Sequence, residues 1–216
     1  MSIASTSRSD VLICWEKKPD PSLDQWNDWT VRVSEDCGVV QVQSVLIDPL
    51  TSRIVSSFTT SPPQFSIDVL LPASVQPGVC DVRLAAGTIG IADLCCERLG
   101  ITVSAAHCSL TGVDAATTIV SADGTITIQD CLGIIDARSA SGNITAYSHG
   151  TSVLRLKTGS GWVDFLAGQD AAGQVSIETV AGPIRLQFDE RANADIEFVS
   201  RLGKARMSAE FLATGA

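Results

Sequence analysis

Residues 154–165 read LRLKTGSGWVDF, and their spacing decides the fold. Leu154 and Leu156 alternate with Arg155 and Lys157, and after Thr158 and Gly161 the apolar pair Val163 and Phe165 alternates with Trp162 and Asp164. A period of two means a short strand with one side buried. The Thr-x-x-Gly between the two runs marks a tight corner, where the backbone needs either a positive φ or close approach to a neighbour. The same template of apolar, x, apolar, x, Ser/Thr, x, x, Gly, x, apolar, x, apolar recurs around Gly124, Gly142, Gly182 and Gly203.

Successive glycines of this set stand about 20 residues apart, the interval of a solenoid coil. Ser121, Ser139, Thr158, Thr179 and Ser200 fill the hydroxyl position, and the slots after the glycine hold Ile126 and Ile128, Ile144 and Ala146, Val163 and Phe165, Ile184 and Leu186, Ala205 and Met207. A repeat this short cannot hold a β-α-β unit. It matches one coil of two or three short strands, each paired in parallel with the coil before it. The spacing therefore predicts an all-β, right-handed parallel β-solenoid. Looser rungs are expected around Gly87, with Val82, Ile89 and Ile91, and around Gly38, with Val31, Val33, Val40 and Val42. A further rung is expected to carry Cys108 in the glycine slot, beside Ile101, Val103 and Leu110. Outward columns are expected to run Thr127, Thr145, Asp164, Arg185, Arg206 and Asp136, Arg155, Ser176, Glu197, with opposite charges one coil apart helping to hold register.

The rungs from Gly87 to Gly203, together with FSIDVLLP (residues 65–72) and DVRLAAGTIGIADL (residues 81–94), resemble the DUF4097 family of adhesin-like β-strand-repeat proteins. The likeness covers about residues 65–207, and WTVRV (residues 29–33) through GVVQV (residues 38–42) is similar to the leading segment of eukaryotic members. The resemblance implies a β-solenoid domain without known catalytic residues, so no site residue is carried over from it.

Along the chain the expected divisions are a flexible leader at 1–9, an irregular N-terminal β cap and first coils at 10–64, the solenoid at 65–207 and a C-terminal tail at 208–216. Strands are expected at Val11–Cys14, Trp29–Val33, Val39–Leu46 and Ile54–Phe58, with Trp15, Trp26 and Trp29 in the cap. A net charge of −9 argues against a nucleic-acid partner, which wants a basic face. No apolar run reaches the roughly 18 residues of a membrane span. The first residues lack the apolar core of a secretory signal. Seven cysteines, an odd number with no CxxC pair, are read as reduced thiols. The expected location is intracellular and cytoplasmic, with a mitochondrial leader as the weaker match.

No nucleophile elbow, phosphate loop, dinucleotide fingerprint, zinc-protease helix or calcium loop occurs in the chain. Asp189 and Glu190 read as solvated loop acids, and His107 and His149 as exposed turn residues. Of the adjacent Cys95 and Cys96, one is expected in the core, because strand neighbours face opposite sides. Catalytic, metal and cofactor sites are expected to be none. Trp162 is the candidate contact residue: Val163 and Phe165 take the inward slots, so the indole should point outward, near Arg155, Lys157 and Asp164. Two functional classes follow. One is a non-catalytic scaffold or adhesin-like module that binds a protein partner, an assembly or a glycan through a solenoid face or end. The other is a carbohydrate-active β-helix lyase or hydrolase, which needs a groove with clustered acids.

Overall fold

The computed structural model describes residues 2–6, 12–17, 29–36, 39–46, 65–72, 76–148, 153–168, 172–189 and 191–209. They form strands β1 (Ser2–Thr6), β2 (Leu12–Lys17), β3 (Trp29–Asp36), β4 (Val39–Leu46), β5 (Phe65–Pro72), β6 (Val79–Ala92), β7 (Cys95–Thr111), β8 (Asp114–Asp123), β9 (Ile126–Gln129), β10 (Ile134–Ser139), β11 (Ile144–Ser148), β12 (Val153–Thr158), β13 (Val163–Ala167), β14 (Ala172–Thr179), β15 (Ile184–Phe188), β16 (Asn193–Ser200) and β17 (Ala205–Ala209). The fold is a parallel β-solenoid of roughly six turns with about 19 residues to the coil and extra strands near the N-terminus. Trp26, the expected strand at 54–58 and residues 210–216 of the tail lie outside the described residues.

Two compact units divide the chain, Met1–Ile13 with Asp68–Ala216, and Cys14–Ile67. In the first, β8, β10, β12, β14 and β16 stack into one face and β9, β11, β13, β15 and β17 into the other, while β7 runs through both. The core lies between them. On the first face Ile101, Ile119, Ala137, Leu156 and Ile177 line up, and on the second Leu110, Ile128, Ala146, Phe165 and Leu186 do so, all of them buried. Each column holds one small residue, and on the second face it meets the largest: Ala146 is the register partner of the fully buried Phe165. Such complementarity keeps packing dense without strain.

The corner between the faces explains both sequence columns. An added Cβ at Gly142, Gly161, Gly182 or Gly203 would lie under 3.0 Å from the carbonyl oxygen of Gly124, Gly142, Gly161 or Gly182 respectively. The glycines thus stand in one spatial column, and close approach is what demands them. The hydroxyls complete the corner. Thr158 Oγ1 accepts from Gly161 N at 3.2 Å and donates to the Gly142 carbonyl, one coil back, at 2.9 Å. Thr179 does the same with Gly182 and Gly161 (2.9 and 3.4 Å), and Ser200 with Gly203 and Gly182 (3.1 and 3.3 Å).

Three expectations need correction. Ala106, not Cys108, occupies the glycine column: it pairs with Gly87, and its carbonyl faces Gly124. Cys108 instead takes the inward slot beside Ile126 and is buried. This coil has Val103 where later coils carry Ser or Thr, and β7 runs straight through the corner instead of folding tightly there. The valines placed in a rung about Gly38 belong to β3 and β4, which pair antiparallel with Val33 opposite Val42 and Asp36 opposite Val39. Only a crossover would make them parallel, and the connection between them is too short for one; Cys37 and Gly38 themselves lie outside the described residues. Residues Ser2–Thr6, expected within a flexible leader, form β1 and pair with both β5 and β6.

Both outward columns hold their expected register. Arg185 reaches Asp164 across coils at 3.8 Å. Asp136 departs from expectation: Arg138, on its own strand, takes it with two hydrogen bonds of 2.9 and 2.6 Å. Glu178 binds Lys157 (2.8 Å) and Arg201 (3.4 Å). Exposed pairs of this kind are screened by solvent and contribute little, so they tune register and the corner carries the fold.

Three substitutions test this account. Ile184→Asp places a charge without a partner in the core and should cost on the order of 4 kcal/mol, whereas Arg185→Asp, on an exposed side chain, should cost little. Thr158→Val strands the Gly161 N–H and the Gly142 carbonyl and should cost about 1–3 kcal/mol. Denaturant midpoints measure all three, and equal losses at 184 and 185 would reverse the inward assignment.

Candidate functional site

Trp162 follows the corner glycine directly and is 39% exposed, while Val163 and Phe165 beyond it are fully buried. Alternation therefore places the indole on the outside of the second face, as the sequence pattern requires. Its backbone is locked on both sides. The Trp162 carbonyl accepts from Ile144 N at 3.0 Å, and its N–H donates to Asn143 Oδ1 at 3.1 Å.

Thr125, Asn143, Trp162, Pro183 and Lys204 form one column at this corner, each carbonyl accepting the N–H of the inward residue one coil back. Two side chains nearby work as acceptors for the next coil: His107 Nδ1 takes the Thr125 N–H at 3.4 Å, and Asn143 takes that of Trp162. Pro183 has no N–H to offer. The coil after Trp162 thus asks nothing of its side chain.

Of the three charged residues expected around Trp162, the structure brings only Asp164 to its face, two residues on in β13, which begins just after Trp162, and paired with Arg185. Arg155 and Lys157 stand on β12, in the other face, on the far side of the corner. Two residues join the site that sequence reading did not single out. Leu166 is 37% exposed on the same strand, and Tyr147 is its register partner in the coil before. The strand alternation already placed both outward. Around them the second face presents Thr127, Thr145, Arg185 and Gln187, a flat polar surface with an aromatic and an aliphatic contact set in it.

Asp189 Oδ1 accepts from Arg191 N at 3.1 Å and its carbonyl from Ala192 N, so this acid closes a turn; Glu190 and His149 lie outside the described residues. No cluster of three potential metal ligands occurs among the described residues, nor any helix long and apolar enough to cross a membrane. On the first face a shallow groove of about 390 Å³ is lined by Arg155, Gln174, Ser176, Asp195 and Glu197 among others.

Cys80, Cys95, Cys96, Cys108 and Cys131 are reduced thiols outside any disulfide; Cys96 is buried and Cys95 exposed. Burial pushes the Cys80 thiol up to about 11 and the Cys108 thiol up to about 12, with Cys96 and Asp81 adding to the first and Cys131 to the second. Groups raised above the ordinary value of 9.0 stay protonated and unreactive when folded.

No family model matches the chain, and no curated protein or solved structure does either.

Peptide-resolved thiol alkylation at pH 8 should modify Cys95 in the folded protein and spare Cys80 and Cys108 until denaturant is added. The raised folded values also mean that stability from these two thiols is complete below about pH 9 and is lost as pH rises toward 11–12. Denaturation midpoints across that range should fall less for Cys108→Ala, relative to its own value at pH 8, than for the unaltered chain.

Proposed function

We propose that this protein is a non-catalytic β-solenoid scaffold that binds another macromolecule, a protein partner or assembly in the first instance, through its second face, with Trp162 as the anchor. The observation that carries the reading is an exposed indole on a rigid, flat strand row, freed from any capping duty and flanked by Leu166 and the Asp164–Arg185 pair. Tryptophan is enriched at binding hot spots because a large apolar area is ordered there at little entropic cost. A preformed sheet adds no reorganisation cost to binding. The rung pattern supports placing the chain within the DUF4097 family, and the five reduced thiols support an intracellular, reducing location, the cytoplasm before the mitochondrion.

A second reading has one specific observation in its favour. The groove on the first face holds Asp195 and Glu197 two residues apart on one strand, beside Arg155, and a carbohydrate-active enzyme would place its acids there. Glycan turnover abolished by Glu197→Gln would establish that reading in place of the scaffold.

Trp162→Ala tests the first. The substitution should leave the melting temperature nearly unchanged and weaken capture of partners from the native cell extract, identified by mass spectrometry, by about 2 kcal/mol or roughly 30-fold. Lower stability with undiminished capture would make Trp162 a packing residue.

A further inference from the structure

From Gly90 onward the rows of the second face advance one coil at a time, and before it they do not, since β2 pairs β5 and β1 stands between β5 and β6. Gly90, Ser109, Thr127 and Thr145 are successive register neighbours, each one coil of chain beyond the last. Asp68 and Gly90 are likewise separated by about one coil of chain, yet they stand two rows apart. Ser2 lies between them, paired with Asp68 on one side and Gly90 on the other. The N-terminal strand β1 therefore fills a row that the coiling chain itself leaves open.

Rows in a sheet are about 4.8 Å apart. With β1 withdrawn, the facing edges of β5 and β6 would be separated by about 9.6 Å, twice that spacing, too far to bond each other. Their N–H and C=O groups would then face an empty row one strand wide. The row accepts a parallel strand as long as β1, and its register columns select the sequence. Ile3 is the register partner of Ile91, whose column continues through the buried Leu110 and Ile128, and Ser2 and Ala4 are the register partners of Gly90 and Ala92. Main-chain bonds supply the affinity of such strand addition and the columns its specificity.

We propose that this row is a strand-acceptor site whose alternative occupant is the Ser2–Thr6 strand of a second copy, so that copies are joined by exchange of β1. The fitting sequence is the chain's own, and a strand supplied by another copy makes the same pairs as one supplied in place, the condition under which swapping costs least. Pairing is also lopsided, with five register pairs to β5 and three to β6. This proposal does not depend on the role of Trp162.

The test uses the full chain, its Ala4→Pro variant and a fluorescein-labelled peptide of sequence MSIASTSR. Proline removes a ladder donor and keeps β1 out of the row. The variant should bind the peptide at least tenfold more tightly than the unaltered chain, whose row is filled. After refolding at high concentration, native mass spectrometry should find dimers of the unaltered chain and tenfold fewer of the variant. A folded variant that ignores the peptide overturns the acceptor site, and an unaltered chain that stays monomeric throughout overturns the exchange. If the variant does not fold, hydrogen exchange on the unaltered chain decides the matter. Residues 2–6 and 90–92 should exchange together and ahead of 108–111, and protection of 2–6 equal to that of 108–111 would overturn the proposal.

Discussion

The carbonyl of a corner glycine faces the α-carbon of the corner glycine one coil on, at a distance that leaves no room for a side chain. Everything regular about the solenoid is built on that approach. A hydroxyl three residues before each glycine from Gly161 onward bonds that glycine's own N–H and reaches back to the preceding glycine's carbonyl, so two buried polar groups are satisfied by one side chain. Buried backbone groups left unpaired would each cost about 1–3 kcal/mol. The corner thereby sets the rise from coil to coil and the register of both faces together. Side chains before it and after it then have no choice of side, because a slip of one residue would turn the whole apolar set outward.

Trp162 owes its exposure to this constraint. It stands one residue past a corner glycine whose position is locked, and the buried Val163 and Phe165 behind it exclude an inward indole. Capping in the same column is done by Asn143, and Pro183 in the next coil needs no acceptor. A side chain of no structural use to the column, held on a rigid row, is suited to contact. Near it Asp164 pairs with Arg185 across exposed strands, where such a pair contributes little.

The N-terminal part of the molecule obeys different rules. The β3–β4 pair is antiparallel and shares only its alternation with the coils. Strand β1 enters the parallel sheet out of chain order. Neither carries the Ser/Thr-x-x-Gly spacing of the later coils, and without it nothing in the local pattern dictates the neighbour.

The sequence by itself determined the coil from Ser121 to Gly203, including the inward slots, the outward columns and the side on which Trp162 lies. Each depends on short-range spacing, which recurs visibly because every coil meets the same steric demand. Tertiary structure alone decided what the pattern leaves degenerate. Cys108 and Ala106 both fit a small-residue slot by spacing, and only pairing with Gly87 and Gly124 assigned the column to Ala106. Asp136 chose Arg138 over Arg155 because a partner two residues along a strand meets it with ideal two-bond geometry. The row held by β1 was beyond any local reading, since Ser2 meets Asp68 and Gly90 only after the chain between them has coiled. Periodicity records what a residue does to its own coil; which distant strand lies beside it is settled by backbone hydrogen bonds, which every sequence can make.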